Sequence, residues 1–227
     1  MDADKKGKTL WEMLVERLHK GGNGAGIPFY NPLDLRVGAA QIIPHANGPE
    51  FEAYDFSVQE IREYTRHIGN QEFQFSDYVL RGVSTKSFEA KDTLTARIRV
   101  VPNQAGAYDS LFLRVYDEFA FSEDFLGVVK DTTGVFEIKD DDSGESFTFN
   151  RINDLRESYN AAVLVVGETT PDGKAMVGKS SPVKIEYWDY WRDADIGAGN
   201  TAKEFVFVEL NSDTGWFQIW RGREFFR

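Results

Sequence analysis

Residues 205–220 read FVFVELNSDTGWFQIW and decide the fold class. Segments 205–210 and 216–220 are rich in aromatic and β-branched residues, which favour strands. The residues between them include Asn, Asp and Gly, which suit a tight reversal of the chain. Two such strands on either side of a short turn predict an antiparallel β-hairpin.

The same β character extends through most of the chain before this hairpin. Residues 94–100 read LTARIRV, in which every second side chain is apolar, the pattern of a half-buried strand. Segment 170–173 is a turn by composition, and segment 58–64 fits either a strand or a helical turn. Further strands are predicted at 111–115, 135–138, 146–149, 161–166 and 174–177.

Roughly eight to twelve short strands with frequent turns favour antiparallel β-barrels or sandwiches. Strands and helices do not alternate as a parallel sheet requires, which argues against a dinucleotide-binding α/β fold. The aromatic–acidic alternation at 51–56 is similar to that at 185–190, as two related β-modules would produce. The predicted fold is mainly β, with one β-rich domain at 27–227 or two modules, about 27–90 plus the C-terminal strands, and 91–180.

A short amphipathic helix is predicted at the N-terminus. Thr9 and Glu12 have the spacing of a capping box, and Gly21 follows as a C-cap. The Gly-rich segment 21–26 is a flexible linker by composition, so residues 1–26 are predicted to form a separate extension. The helix is expected to dock on its own domain, and contact with a membrane surface or a partner is the alternative. Its apolar stripe consists of Leu10, Trp11, Leu14, Val15 and Leu18.

Charge and cysteine content exclude several classes of protein. The chain has 37 acidic and 26 basic residues, a net charge of −11, which disfavours nucleic-acid binding because phosphate backbones are repelled. The absence of cysteine excludes disulfides, thiolate metal sites and Cys nucleophiles. No apolar leader segment and no run of ~20 apolar residues is found, so the sequence predicts a cytoplasmic protein.

The usual catalytic and metal-binding patterns give no positive signal. His19, His45 and His67 lie in different predicted elements, and none has a second histidine at metal-ligand spacing. The nucleophile motif Gly-x-Ser-x-Gly does not occur. The sequence therefore favours a protein without an enzymatic activity and without a cofactor.

One acidic turn is a candidate cation site. Asp140, Asp142 and Glu145 lie between two predicted strands, and carboxylate oxygens are the ligands that calcium and magnesium prefer. An EF-hand counted from Asp140 would need Glu at its twelfth position, where Arg151 stands instead. The favoured interpretation is a solvated hairpin tip, with a weak calcium or magnesium site as the alternative.

Segment 187–192 is the candidate binding surface. On a strand, alternate side chains point to opposite faces, so both faces of this segment carry large aromatic rings. The favoured interpretation is two-sided packing, and the alternative is a surface that binds a sugar or a peptide. For that alternative we expect Trp191 to be buried and Trp188 to be more exposed. The candidate residues are Tyr187, Trp188, Asp189, Tyr190, Trp191 and Arg192.

Segments 31–38, 187–192 and 204–209 together resemble the YjfK-like family of bacterial proteins of unknown function, over about residues 28–227. The resemblance implies a cytoplasmic, β-rich bacterial protein without an assigned enzymatic activity. It also implies an association with membrane-stress and envelope-maintenance proteins, and hence a protein partner. The predicted function is a non-enzymatic binding or scaffold protein. A carbohydrate-binding protein or hydrolase that uses the aromatic–acidic surface is the alternative.

Overall fold

The computed structural model describes residues 35–43, 49–68, 71–86, 93–102, 108–139, 144–152, 159–170, 172–178, 180–197 and 199–225. The predicted N-terminal helix and its linker lie outside these residues. A 3₁₀ helix spans Pro49–Ala53, and the α-helix α1 spans Glu123–Val129. The strands are β1 Ala40–Gln41, β2 Tyr54–Ile68, β3 Gln71–Ser84, β4 Thr93–Pro102, β5 Tyr108–Ala120, β6 Val135–Lys139, β7 Ser146–Arg151, β8 Tyr159–Thr169, β9 Ala175–Val177, β10 Val183–Gly197, β11 Asn200–Asn211 and β12 Trp216–Glu224.

Eight of the strands close into a ring within one antiparallel sheet. Strands β2, β3, β4 and β5 pair in sequence order, and so do β10, β11 and β12. Strand β8 joins β2 to β10, and β5 pairs with β12, which completes the circuit. The chain is therefore mainly β, as predicted.

Strand β10 has two different neighbours on one side. Its first part, 183–187, pairs with β8, while Tyr190 and Trp191 pair with β7. The β6–β7 hairpin thus branches from the ring instead of belonging to it. Strands β3 and β4 fall in different modules of the two-module hypothesis, yet they are neighbours in this sheet, and the division stays a prediction.

The strand predictions are confirmed at both hairpins, at β8 and at the turn before β9. Segment 58–64 is part of the long strand β2, which resolves the open choice. Helix α1 was not predicted from the sequence. It begins after Ser122, whose hydroxyl oxygen accepts a hydrogen bond from the Phe125 N–H, and it is only seven residues long.

The interior of the ring can be recognised from a contact between distant strands. Arg97 on β4 binds Glu209 on β11, although β5 and β12 lie between these strands in the sheet. Such a contact is made across the inside of a closed ring. Because side chains alternate along β4, Ala96, Ile98 and Val100 point outward. The sequence prediction of a half-buried β4 is wrong, since its arginine face is also buried.

Two apolar clusters cover the outside of the ring. Segment 35–43 and the 3₁₀ helix pack over the outer face of β2–β5, where Phe51 and Phe112 meet edge to face with ring centroids 4.8 Å apart. Helix α1 and the β6–β7 hairpin pack over the outer face of β10–β12, around Trp188 and Phe217. The sheet is therefore buried on both sides over much of its area.

Candidate functional site

The structure buries most of the predicted aromatic surface. Tyr187, Trp188 and Tyr190 are each 1% exposed and Asp189 is fully buried, whereas Trp191 and Arg192 are half-buried. The first four side chains do not form a surface open to a ligand. Two-sided packing, the interpretation favoured from the sequence, describes this segment.

The expected difference between the two tryptophans is reversed. Trp188 points outward from the ring but lies beneath α1 and the β6–β7 hairpin, with its ring centroid 6.4 Å from that of Phe217. Trp191 points inward near one end of the ring, and the Lys203 ammonium lies 3.3 Å from its ring centroid. The expectation that Trp188 is the more exposed is wrong because a covering layer conceals the outer face.

Asp189 belongs to an ion cluster inside the ring. Arg66 donates hydrogen bonds of 2.5 and 3.4 Å to its two carboxylate oxygens. The same guanidinium stacks 3.5 Å above the centroid of the Tyr187 ring. Asp189 and Tyr187 are thus placed together, as the sequence suggested, but their role is to hold a buried arginine.

The cluster continues across the ring through Glu209. Arg97 donates two hydrogen bonds of 2.9 Å to this carboxylate, one to each oxygen, and Arg99 donates a third, also of 2.9 Å. Arg99 is also bidentate to Asp77, at 2.8 and 2.9 Å. The inner ion cluster, Arg66, Asp77, Arg97, Arg99, Asp189 and Glu209, contains three cations and three anions, so its charges balance.

The pKa values of Glu209 and of the neighbouring Tyr64 are shifted by this cluster. Burial alone would raise the pKa of Glu209, but the charges and hydrogen bonds of Arg97 and Arg99 outweigh it and hold that pKa well below its usual range. Burial and then the nearby Glu209 carboxylate raise the pKa of Tyr64 to about 12, so its hydroxyl stays protonated. Glu209 and Tyr64 therefore do not titrate near neutral pH, and groups of this kind are poor proton carriers.

A concave feature lies on the outer face of the ring, beside the apolar cluster that contains Phe51 and Phe112. It has a volume of about 240 Å³, and its lining contains four arginines and two acidic residues, an excess of two positive charges. The fifth cationic residue of the lining, Lys203, directs its ammonium inward to Trp191, where it pairs with Asp193 at 2.7 Å. We call this concave feature the basic groove. It is lined by Phe51, Phe112, Arg114, Arg192, Ala194, Asp195, Ala202, Lys203, Glu204, Arg221, Gly222 and Arg223.

Glu204 holds two of the groove arginines in place. Its carboxylate accepts hydrogen bonds from Arg192 Nε at 2.6 Å and from Arg221 Nε at 2.7 Å. Both guanidinium groups also lie over the Phe147 ring, at 4.2 and 5.0 Å from its centroid. These contacts fix the two positive charges at one wall of the groove.

Arg114 and Arg223 differ from these two arginines. Neither makes a hydrogen bond or an ion pair with any residue in the described part of the chain. Arg114 lies directly opposite Arg221 in the β5–β12 pairing, and Arg223 lies opposite Glu204 in the β11–β12 pairing. Strand pairing thus sets the positions of Arg114 and Arg223, but no side chain in the described part of the chain neutralises their positive charges.

The candidate cation site is not testable in this structure, because Asp140 and Asp142 lie outside the described residues. Glu145 is described and exposed. Among the residues that the structure describes, no group of three or more His, Cys, Asp or Glu side chains could hold a metal ion.

No protein-family model, no curated protein and no solved structure matches this chain. The similarity to the YjfK-like family therefore stays a prediction. Within the described part of the chain, none of the helices is long and apolar enough to cross a membrane.

Sequence reasoning missed the basic groove because its residues are spread from 51 to 223 and only strand pairing brings them together. One local signal exists. Arg221 and Arg223 are two residues apart at the end of a predicted strand, so their side chains share a face. Arg114, which lies opposite Arg221, could be assigned to this site only from the pairing of β5 with β12.

Proposed function

We propose that this chain is a non-enzymatic binding protein that holds an acidic segment of a protein partner in the basic groove. The observation that carries the proposal is the excess of two positive charges, from four arginines and two acidic residues, in a concave site of a chain whose net charge is −11. A local positive site on an acidic protein attracts negative ligands at that site and repels them elsewhere.

The size of the groove favours a peptide segment over an enclosed small molecule. Pockets that enclose drug-sized ligands measure about 300–1,000 Å³, and this groove, at about 240 Å³, is smaller. Arg114, which lines the groove, is exposed to solvent, and the buried rings of Phe51 and Phe112 form an apolar wall. A groove of this kind suits a few side chains of a chain that passes across it.

The rest of the molecule is suited to a scaffold. The groove residues Arg114, Arg192, Lys203 and Arg221 lie on four neighbouring strands of the ring, whose interior is filled by paired charges and aromatic rings. Sites built on strands are held more precisely than sites on loops. The alternative function, a carbohydrate-binding or hydrolytic site at 187–192, loses support because four of its six side chains are buried.

The proposal is tested with a short fluorescein-labelled oligoglutamate peptide and fluorescence anisotropy. We expect saturable binding at low ionic strength that weakens as salt is added, because exposed charges are screened over a Debye length of about 10 Å at 0.1 M. The double variant Arg114→Glu, Arg223→Glu should abolish it. Arg81→Glu with Lys86→Glu is the matched control, since it changes the same charge at two exposed positions away from the groove. Absence of binding to the unmodified protein, or an equal loss in the control, would refute the proposal.

A further inference from the structure

The register of the groove strands places like charges opposite each other. Arg114 and Arg221 face each other across β5 and β12. Directly opposed like charges destabilise an antiparallel pair, so a compensating anion would stabilise this arrangement. Glu204 supplies one to Arg221, but its two oxygens are already engaged by Arg192 and Arg221.

The other acidic residue of the groove does not supply this charge. Asp195 is exposed, and its Oδ1 accepts a hydrogen bond of 2.7 Å from the Gly197 N–H. Arg114 and Arg223 remain without an ion pair or hydrogen bond among the described residues. The groove therefore has two free guanidinium forks beside a third, Arg221, that is only partly engaged.

We propose that Arg114, Arg221 and Arg223 form a subsite for a phosphate group, carried as a phosphorylated side chain by the partner segment. This inference rests on the proposed function and adds the chemical class of the ligand group. A phosphorylated side chain carries a charge of about −1.5 to −2 at pH 7 and has three acceptor oxygens, whereas a carboxylate has one charge and two oxygens. Three guanidinium groups that line one groove match the phosphate better, because planar guanidinium forks bind phosphate oxygens in pairs.

The backbone fixes the spacing of the subsite. Gly222 lies between Arg221 and Arg223, and a Cβ atom at this position would come within 1.9 Å of the Phe112 carbonyl oxygen. The glycine therefore lets β12 approach β5 closely. Glu204 acts as a positioning residue, since its carboxylate accepts a hydrogen bond from Arg221 Nε, and Arg192 holds the other oxygen of that carboxylate.

The test compares three labelled peptides of one acidic sequence that differ only at the central residue, which is phosphoserine, glutamate or serine. We expect the phosphoserine peptide to bind about tenfold more tightly than the glutamate peptide, because charge-assisted bidentate hydrogen bonds are added. Inorganic phosphate should compete with it more effectively than acetate at equal ionic strength. In Arg114→Lys with Arg223→Lys, the charge is kept and the forks are lost, so the glutamate peptide should still bind while the preference for phosphoserine disappears. Arg81→Lys is the control and should keep the preference.

Each outcome separates this inference from the proposed function. If the phosphoserine and glutamate peptides bind equally, the phosphate subsite is wrong and the acidic-segment function stands. If no peptide binds, both are wrong. If the double lysine variant keeps the full preference, the guanidinium forks are not the origin of selectivity and the subsite assignment is overturned.

Discussion

Glu209→Gln removes the carboxylate that joins β4 to β11 through the inside of the ring. The side chain is buried, and it accepts three hydrogen bonds of 2.9 Å from Arg97 and Arg99. The variant leaves three buried arginines with two carboxylates. Removing one partner of a buried ion pair costs roughly 3–5 kcal/mol because a buried charge is left uncompensated. We expect the free energy of unfolding to fall by that amount.

The measurement is equilibrium urea unfolding at neutral pH, followed by tryptophan fluorescence. The matched control is Glu186→Gln, which removes a partly exposed carboxylate that lies 3.7 Å from the Lys130 ammonium. A pair of this kind contributes about 0–1 kcal/mol. Adding Arg97→Met to Glu209→Gln restores the charge balance and should recover part of the loss. A loss below about 1 kcal/mol for Glu209→Gln, or one equal to the control, would refute the reasoning.

Three further predictions concern packing and pH. Trp188→Ala should lower the free energy of unfolding by roughly 3–5 kcal/mol, as expected for a buried large aromatic side chain. Trp191→Ala should lower it by less, because only Trp188 is fully enclosed. Equal losses in urea unfolding would contradict this prediction. Gly222→Ala should destabilise the protein in the same assay, because a Cβ atom would collide with the backbone of β5. An unchanged urea midpoint would show that β12 and β5 can move apart to accept the Cβ atom without loss of stability. Since the pKa of Glu209 is lowered in the folded state, its stabilising contribution is complete above the ordinary value of 4.5 and is lost as pH falls below it. Urea unfolding between neutral and acidic pH should therefore show a smaller drop in Glu209→Gln than in the unmodified protein, and parallel curves would exclude the effect.

The strand pattern could be predicted because it is local. The hairpin at 205–220 and the turn at 170–173 carry their own turn residues, and both are found in the structure. Helix α1 was missed because its seven residues include Gly127 and two valines, which give a weak helical signal. It is held by its Ser122 cap and by packing on Phe217 and Phe136 through Phe125.

The sites were harder to predict because they depend on closure of the ring. Alternating arginines in a strand ordinarily indicate a solvated face. The carboxylates that pair with Arg97 and Arg99 are Asp77 on the neighbouring strand β3 and Glu209 on β11, and Glu209 reaches them only across the closed ring. The burial of Trp188 depends likewise on a covering hairpin from another part of the chain. In both cases the residue type was visible in the sequence but its neighbours were not.

The two strand pairings that join the halves of the ring, β2–β8 and β5–β12, which we call its seams, affect how the protein folds. Each half of the ring consists of strands that pair with near neighbours in sequence, but the seams join Glu60 to Glu168 and Asp117 to Ile219, positions about a hundred residues apart. Pairings over such distances form slowly. The Arg66–Asp189 and Arg97–Glu209 ion pairs join strands of the two halves, so they form as the ring closes and are expected to retard unfolding more than they accelerate folding. The native state is thus expected to persist through a high barrier to opening, and brief exposure to denaturant should leave most molecules intact.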